Sequence, residues 1–234
     1  MGQFANMIHE ASERLFAPFA TQAVWRAAEK QEGFSGVWAA VEQSGFLDLL
    51  CTEGEEAGEL GAAAFRLIRN AGRVLLPAPL GETVVARAIL SEARLTAPGG
   101  PLALSQERAA YGRHVKAGVV ADGASIKLMT VSGVKTTDMN AAAEPRDDLI
   151  WTASGEAKSD WSAERIAAAL AAIRAAQLAG AIERVLTLTV DYARTRKQFG
   201  KPIGQFQAIQ QQLAVLAGQS ASASVAAEHA LRRW

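Results

Sequence analysis

The stretch Tyr192-Ala193-Arg194-Thr195-Arg196-Lys197-Gln198-Phe199-Gly200-Lys201-Pro202-Ile203-Gly204-Gln205-Phe206-Gln207 joins two long helical patterns in the last third of the chain. Upstream of it, Ile166, Leu170, Ile173, Leu178, Ile182, Val185, Leu186 and Thr189 trace an apolar stripe that begins after Ser162. A helix carrying that stripe as far as Thr195 spans about 50 Å at the usual rise per residue. Gly200 and Pro202 interrupt the pattern, and a second helix is predicted from near Gln205. So short a connection lays the two helices antiparallel, with Ile209, Leu213 and Leu216 facing the neighbour and the turn at one end of a bundle. Arg194, Arg196, Lys197 and Lys201 put four cations within eight positions at that end. The next helix begins nearby with free backbone N–H groups, so the place suits an anion such as a diphosphate. Charge alone favours a solvated turn that caps one helix dipole.

Working outward, helical periodicity fills the first hundred residues. Met7 to Phe19, Val24 to Lys30, Val37 to Leu50, Ala62 to Leu76 and Thr83 to Leu90 carry it, punctuated by Pro77-Ala78-Pro79 and Pro98-Gly99-Gly100. The period then changes. Lys116 to Val120 and Ile126 to Val131 are short β-rich runs around Ala121-Asp122-Gly123-Ala124, whose Asp-Gly pair suits a tight hairpin, and Leu149 to Thr152 adds a strand. The expected fold is mainly α: a helical segment over 1–100, a small antiparallel sheet over 101–159 and a helical hairpin over 160–234.

Composition limits the function. Of 234 residues, half are hydrophobic, which is enough for a sizeable core. Lys plus Arg and Asp plus Glu are 24 each, which argues against a general affinity for nucleic acid or an anionic membrane. The zero is uneven: residues 1–100 hold 8 basic and 12 acidic groups, 101–159 hold 7 and 7, and 160–234 hold 9 and 5. A single cysteine, Cys51, with scattered His9, His114 and His229, speaks against a disulfide framework and against a metal site. The start lacks a basic stretch and a long apolar run, and no run of about 18 apolar residues occurs, so a cytoplasmic protein without a membrane anchor is expected. Alanine, 49 of 234, favours helices that pack closely.

The run Arg196-Lys197-Gln198-Phe199-Gly200-Lys201-Pro202-Ile203, followed by Phe206-Gln207 and Gln210, resembles the helical hairpin of the acyl-CoA dehydrogenase family. Trp38-Ala39-Ala40-Val41-Glu42-Gln43-Ser44-Gly45-Phe46 and Ala71-Gly72-Arg73-Val74-Leu75-Leu76-Pro77-Ala78-Pro79-Leu80-Gly81-Glu82-Thr83 resemble that family's first helical domain. The resemblance implies an FAD-dependent enzyme, or a subunit of one, that oxidises an acyl-CoA thioester to its α,β-enoyl derivative and passes electrons to an electron-transfer flavoprotein. It also implies a hairpin that reaches FAD across an interface in a homo- or hetero-oligomer. Arg196 would pair with the flavin diphosphate, for which a guanidinium is well shaped. Gln198 would offer an amide to the phosphates or adenosine, Phe199 would pack beside the cofactor, and Phe206 with Gln207 would contact its adenosine side.

Two features of the family are weak in this sequence. The flavin-binding strand motif has only Leu102-Ala103-Leu104-Ser105-Gln106 as its nearest counterpart, with Ser105 and Gln106 as candidate flavin contacts, and the sheet reads as shortened. The family's catalytic glutamate, where it lies on the first helix of the C-terminal segment, falls near Leu170, which cannot accept a proton. The nearest upstream acid, Glu164, reads as a helix N-terminal acid after Ser162. Two alternatives to the enzyme therefore stand: a non-catalytic partner that completes the flavin site of a catalytic subunit, and a helical scaffold without flavin.

Overall fold

The computed structural model describes residues 2–51, 56–104, 108–136 and 144–231. Five helices come first: α1 (Gln3–Phe16), α2 (Gln22–Glu29), α3 (Phe34–Gln43), α4 (Ala57–Arg73) and α5 (Leu80–Glu92). The middle holds β1 (Leu102–Ala103), β2 (Arg108–Ala110), β3 (Ala117–Asp122), β4 (Ser125–Lys135) and β5 (Arg146–Lys158). The back consists of α6 (Ala163–Thr195), the short strands β6 (Lys197–Gln198) and β7 (Lys201–Pro202), and α7 (Gln207–Leu231). The fold is mainly helical with a small sheet, as the periodicities predict.

The five-stranded sheet runs in the order β1-β3-β4-β5-β2. Its main ladders are antiparallel, but β1 pairs with β3 in parallel, Leu102 opposite Ala117, which the expectation of a purely antiparallel sheet misses. Two-residue strands carry no periodicity, so β1 is visible only through its pairing. The β3–β4 turn also differs in detail. Asp122 ends β3 opposite Ser125, and the loop is Gly123-Ala124, with the positive φ of 60° at Gly123, where a tight hairpin favours glycine.

Helix α6 starts where Ser162 accepts a hydrogen bond from the Arg165 N–H at 3.2 Å, an N-cap that fixes its first turn. Its buried residues are Ile166, Ala169, Ala172, Ile173, Ala176, Ala179, Gly180 and Ala193. This corrects the predicted stripe in part: Ile166 and Ile173 are buried as expected, but Leu178 and Val185 are exposed, and most of the packed side is alanine and glycine. The reason is distance. A Cβ added at Gly180 would lie 1.9 Å from the carbonyl oxygen of Arg69, and one at Gly72 would lie 2.2 Å from that of Gln177. Helices α4 and α6 thus cross with their backbones in contact, and no larger residue fits at the Gly72–Gln177 and Gly180–Arg69 contacts. By length and hydropathy α6 could span a bilayer, a property hidden in the sequence by interspersed polar groups; its small-residue side here packs within the protein.

One core joins the three parts. Ile68 of α4, Val85 and Ile89 of α5, Leu102 of β1, Val119 of β3, Ile126 of β4 and Ile173 of α6 form a continuous buried cluster. A second cluster packs α1, α3 and α4 around Phe16, Val41 and Leu67. Replacing Gly180 by alanine forces the α4–α6 crossing apart. The expected cost is about 1–3 kcal/mol, lowering Tm by roughly 2–4 °C per kcal/mol in a thermal melt, whereas alanine at Gly218, which has open space around it, is expected to leave Tm unchanged or raised.

Candidate functional site

At the end of α6 the chain turns through a two-stranded ribbon. Lys197 pairs with Pro202 and Gln198 with Lys201, so Phe199 and Gly200 form a two-residue loop with φ of 53° and 82°. Two consecutive positive φ values are those of a type I′ turn, which suits glycine but is uncommon for phenylalanine. The Arg196 carbonyl accepts a hydrogen bond from the Ile203 N–H at 2.8 Å, closing the ribbon at its base. Beyond it, Gln210 Nε2 donates to the Gly204 carbonyl at 3.0 Å, and the Phe206 carbonyl accepts from the N–H groups of Ile209 and Gln210, beginning α7.

This turn gathers the residues singled out from the sequence. Arg196, Gln198, Phe199 and Gln207 are exposed, and Phe206 is half-buried. Phe199 stands 92% exposed at the tip, its ring edge-on to Phe206 with centroids 6.2 Å apart, and Lys201 Nζ lies 4.5 Å from the Phe206 ring centre. Arg196 and Lys197 have no ion-pair partner among the described residues, which makes their charge available to an outside anion. The exposed apolar residues Leu178, Val185, Leu188 and Tyr192 continue along α6 toward this end. Ser105 and Gln106 lie outside the described residues.

A second constellation lies along the N-terminal part of α6 and was not picked out from the sequence. A cavity of about 360 Å³ is bounded by Glu82 of α5, Leu102, Ala103, Leu104, Arg108 and Arg146 from the sheet region, and Leu170 and Arg174 of α6. Leu170, the position at which the resemblance set out above would place a glutamate, does border this space, and the carboxylate in its wall is Glu82. Arg174 donates to Glu82 Oε1 at 2.5 Å and to Gln177 Oε1 at 2.7 Å, and stands 3.8 Å from Glu144, which is itself 3.1 Å from Arg146. The Glu82 side chain is only 6% exposed, and its Oε2 has no hydrogen-bond partner among the described residues. Glu164 is remote from this cluster in role: it is fully exposed, and hydrogen bonding at the start of α6 holds its carboxyl below the ordinary value.

Arg174 also borders a larger cavity of about 460 Å³ between α2, the end of α4 and α6. Tyr111 lines it in a left-handed conformation, φ 55°, held by its N–H donating to the Pro145 carbonyl at 2.8 Å. The adjoining turn is pinned by Asp147, fully buried, which accepts from Arg113 Nη2 at 2.8 Å, Nε at 3.0 Å and the Arg113 backbone N–H at 2.8 Å. That pairing raises the Arg113 guanidinium further. Nothing in the sequence marks Tyr111 or Arg174, because each becomes notable only through neighbours 30 or more positions away.

The arrangement and the order of elements agree with the comparisons. Residues 160–234 match the family model for the acyl-CoA dehydrogenase C-terminal domain. Acyl-CoA dehydrogenase IpdE2 of Mycobacterium tuberculosis is 34% identical over 229 residues, spanning 90% of this chain and 70% of that protein. The chain belongs to the acyl-CoA dehydrogenase family. A second IpdE2, from Mycolicibacterium smegmatis, is 30% identical over 240 residues, spanning 95% of this chain and 75% of the other. Among solved structures, the steroid acyl-CoA dehydrogenase Tcur3481-Tcur3483 G363A variant superposes with a TM-score of 0.72 at 21% identity, covering 97% of this chain and 76% of that one. The ChsE4-ChsE5 complex of Mycobacterium tuberculosis gives 0.70 at 21% identity, with 97% and 78% covered. At that identity the two structures speak for the fold.

In this dehydrogenase-family chain, the Tyr111 segment also contains a pH-sensitive contact. His114 stacks on Phe34 with ring centroids 3.8 Å apart, and Phe34 in turn lies against Tyr111. Burial, and then the Arg113 charge, hold His114 below its ordinary value. The unfolded chain therefore takes up this proton at about pH 6.5, the folded chain only at lower pH. The contribution is fully present above that point and is lost as pH falls toward the folded value. Urea unfolding at about pH 7.5 and about pH 5.5 is expected to show a lower midpoint in acid, with His114→Phe reducing the difference.

Proposed function

We propose that this chain is a subunit of an FAD-dependent acyl-CoA dehydrogenase that catalyses α,β-dehydrogenation of acyl-CoA thioesters within an oligomer of dehydrogenase subunits, with an electron-transfer flavoprotein as acceptor. The observation that carries the reading is the turn at Arg196–Gln207: unpaired cations, exposed amides and the start of a 25-residue helix around one ribbon. This donor set fits the diphosphate of FAD, since guanidinium and ammonium groups and free helix N–H groups all favour an anion. Arg196 binds the phosphates, Gln198 and Gln207 offer amides, and the Phe199 and Phe206 rings cover the cofactor's flank. When bound, the flavin supplies the acceptor for the substrate's hydride.

Distance indicates where that cofactor's other end lies. From Arg174, at the cavity, to Thr195 at the end of α6 the helix climbs about 32 Å. The hairpin of one chain is thus far from its own cavity, which supports a hairpin that serves a flavin seated on a neighbouring subunit. The exposed apolar residues Leu178, Val185, Leu188, Tyr192 and Phe199 give such a neighbour a surface to cover.

A second reading, a non-catalytic partner that completes the flavin site of a catalytic subunit, is favoured by one residue. Leu170 faces the cavity at the position where the family resemblance places a glutamate in some members, and leucine cannot hold the proton taken from the substrate.

Both readings are tested by purifying the chain alone and after co-expression with a neighbouring dehydrogenase subunit, measuring flavin absorbance and turnover in each. Flavin and turnover in the chain alone support the complete enzyme; flavin only in the complex supports the partner role. In either preparation Arg196→Ala is expected to weaken flavin binding about 10- to 100-fold, the loss of a hydrogen-bonded charge. Unchanged flavin content in that variant overturns the assignment of the hairpin.

A further inference from the structure

A third cavity, of about 210 Å³, lies where the end of α1 and the turn after it meet α4 and α6. It has no residue in common with the cationic ribbon or with the two cavities that Arg174 borders. Phe16, Ala17, Ala20 and Val74 supply its apolar wall, and Glu13, Asn70, Arg73 and Arg184 its polar groups. Apolar walls with a few convergent polar groups mark a small-molecule site, and a volume this low admits only a compact ligand.

Three of these polar side chains have bonding capacity that the protein does not use. Asn70 is 2% exposed, and its Nδ2 is spent on α1: it donates to Ser12 Oγ at 2.7 Å and to the His9 carbonyl at 3.1 Å, and lies 3.0 Å from His9 Nδ1. Neither His9 nor Ser12 borders the cavity, and the Asn70 Oδ1 has no hydrogen-bond partner among the described residues. A buried acceptor left in that state is rare and costly. Arg73 gives Nη1 to Glu13 at 2.6 Å, while its buried Nε has no hydrogen-bond partner among the described residues. Arg184 is half-buried and has no ion-pair partner among them. One free acceptor and two sets of free donors thus meet at one cavity.

Charge selects the ligand further. Arg69, Arg73 and Arg184 stand against two carboxylates, Glu13 and Glu183, since both Arg69 and Arg73 reach Glu183. Glu10 and Arg14, further out on α1, pair with each other at 4.0 Å. Arg66, whose Nη1 donates to Asn6 Oδ1, adds only more positive charge, and His9, 3.8 Å from Glu13, is held neutral at neutral pH by its burial. The surplus is positive, so an anion is favoured over a cation or a zwitterion.

We propose that this cavity binds a small hydroxy acid, its carboxylate taken by Arg184 and the Arg73 Nε–H, its hydroxyl donating to Asn70 Oδ1 and its short carbon chain lying against Phe16 and Val74. A guanidinium is well suited to a carboxylate, and the hydroxyl is the neutral donor that the amide oxygen lacks. The apolar wall distinguishes such an acid from a bare inorganic anion. Bound there, the acid joins α1, α4 and α6 at a point remote from the cationic ribbon, and the inference goes beyond the functional reading above without resting on it.

The test titrates the full chain with 3-hydroxybutanoate at about pH 7.5, where the carboxylate is ionised, and reads Kd by calorimetry. Butanoate, which lacks the hydroxyl, and 1,3-butanediol, which lacks the carboxylate, are each expected to bind about tenfold or more weakly. Arg184→Met is expected to weaken 3-hydroxybutanoate binding about tenfold or more, with the Tm of the ligand-free chain close to its original value. Ala20→Leu, which fills the cavity and keeps every charge, is expected to abolish binding. Binding that survives both variants overturns the inference. So does the absence of binding up to about 10 mM, the result if ordered water alone satisfies these groups. Butanoate binding as tightly as the hydroxy acid overturns the role of Asn70, and tighter binding of inorganic phosphate overturns the choice of an organic acid.

Discussion

Where α4 crosses α6, the absence of two side chains sets the geometry of everything else. With Gly72 beside the Gln177 backbone and Gly180 beside that of Arg69, the helices meet closer than any Cβ permits. Neighbouring alanines, Ala172, Ala176 and Ala179, keep the rest of that seam narrow. The seam fixes the height and rotation of α6 against the N-terminal helices. Arg174 and Gln177 are thereby presented to the two cavities, and the far end of α6 extends beyond the main core. Ion pairs flank the crossing, Arg69 and Arg73 both reaching Glu183 at 3.5 and 3.7 Å, but these are half-exposed and add orientation more than stability.

Much of the architecture was legible because long, regular patterns report their own period. The two back helices, the short turn between them and the β3–β4 hairpin follow from apolar spacing and from Gly, Pro and Asp-Gly positions. The family resemblance added a role for Arg196, Gln198, Phe199, Phe206 and Gln207, and the structure brings these five to one turn. What the periodicity missed shares one cause. The apolar stripe finds the buried Ile166 and Ile173, but the side of α6 that meets α4 is its small-residue side, and a rule that looks for Leu and Val also assigns burial to Leu178 and Val185, which are exposed. Hydrophobicity marks a packed face well only when the partner is at ordinary distance. At backbone contact, size matters more than polarity.

The cavity residues were illegible for a different reason. Glu82 and Arg174 are 92 positions apart, and each by itself reads as an ordinary helical charge. Their meaning arises from mutual burial, which local patterns do not encode. Tyr111 is similar: its conformation follows from Pro145 and Asp147, more than 30 positions on. Leu170 is the instructive intermediate. The family resemblance marks it as the wrong residue for proton transfer, and the structure adds that the position borders a cavity with the Glu82 carboxylate of α5 in its wall.

Helix α6 is also a ruler. It holds the cavity cluster near one end and the cationic ribbon at the other, with no break between them. Each residue contributes about 1.5 Å and a rotation of about 100°, so inserting one residue between Arg174 and Thr195 would swing the ribbon about a quarter turn around the helix axis. The two ends are therefore locked in phase as well as in separation. In a lineage of such proteins, length change should be tolerated in the loops before and after α6 and be nearly absent within this span.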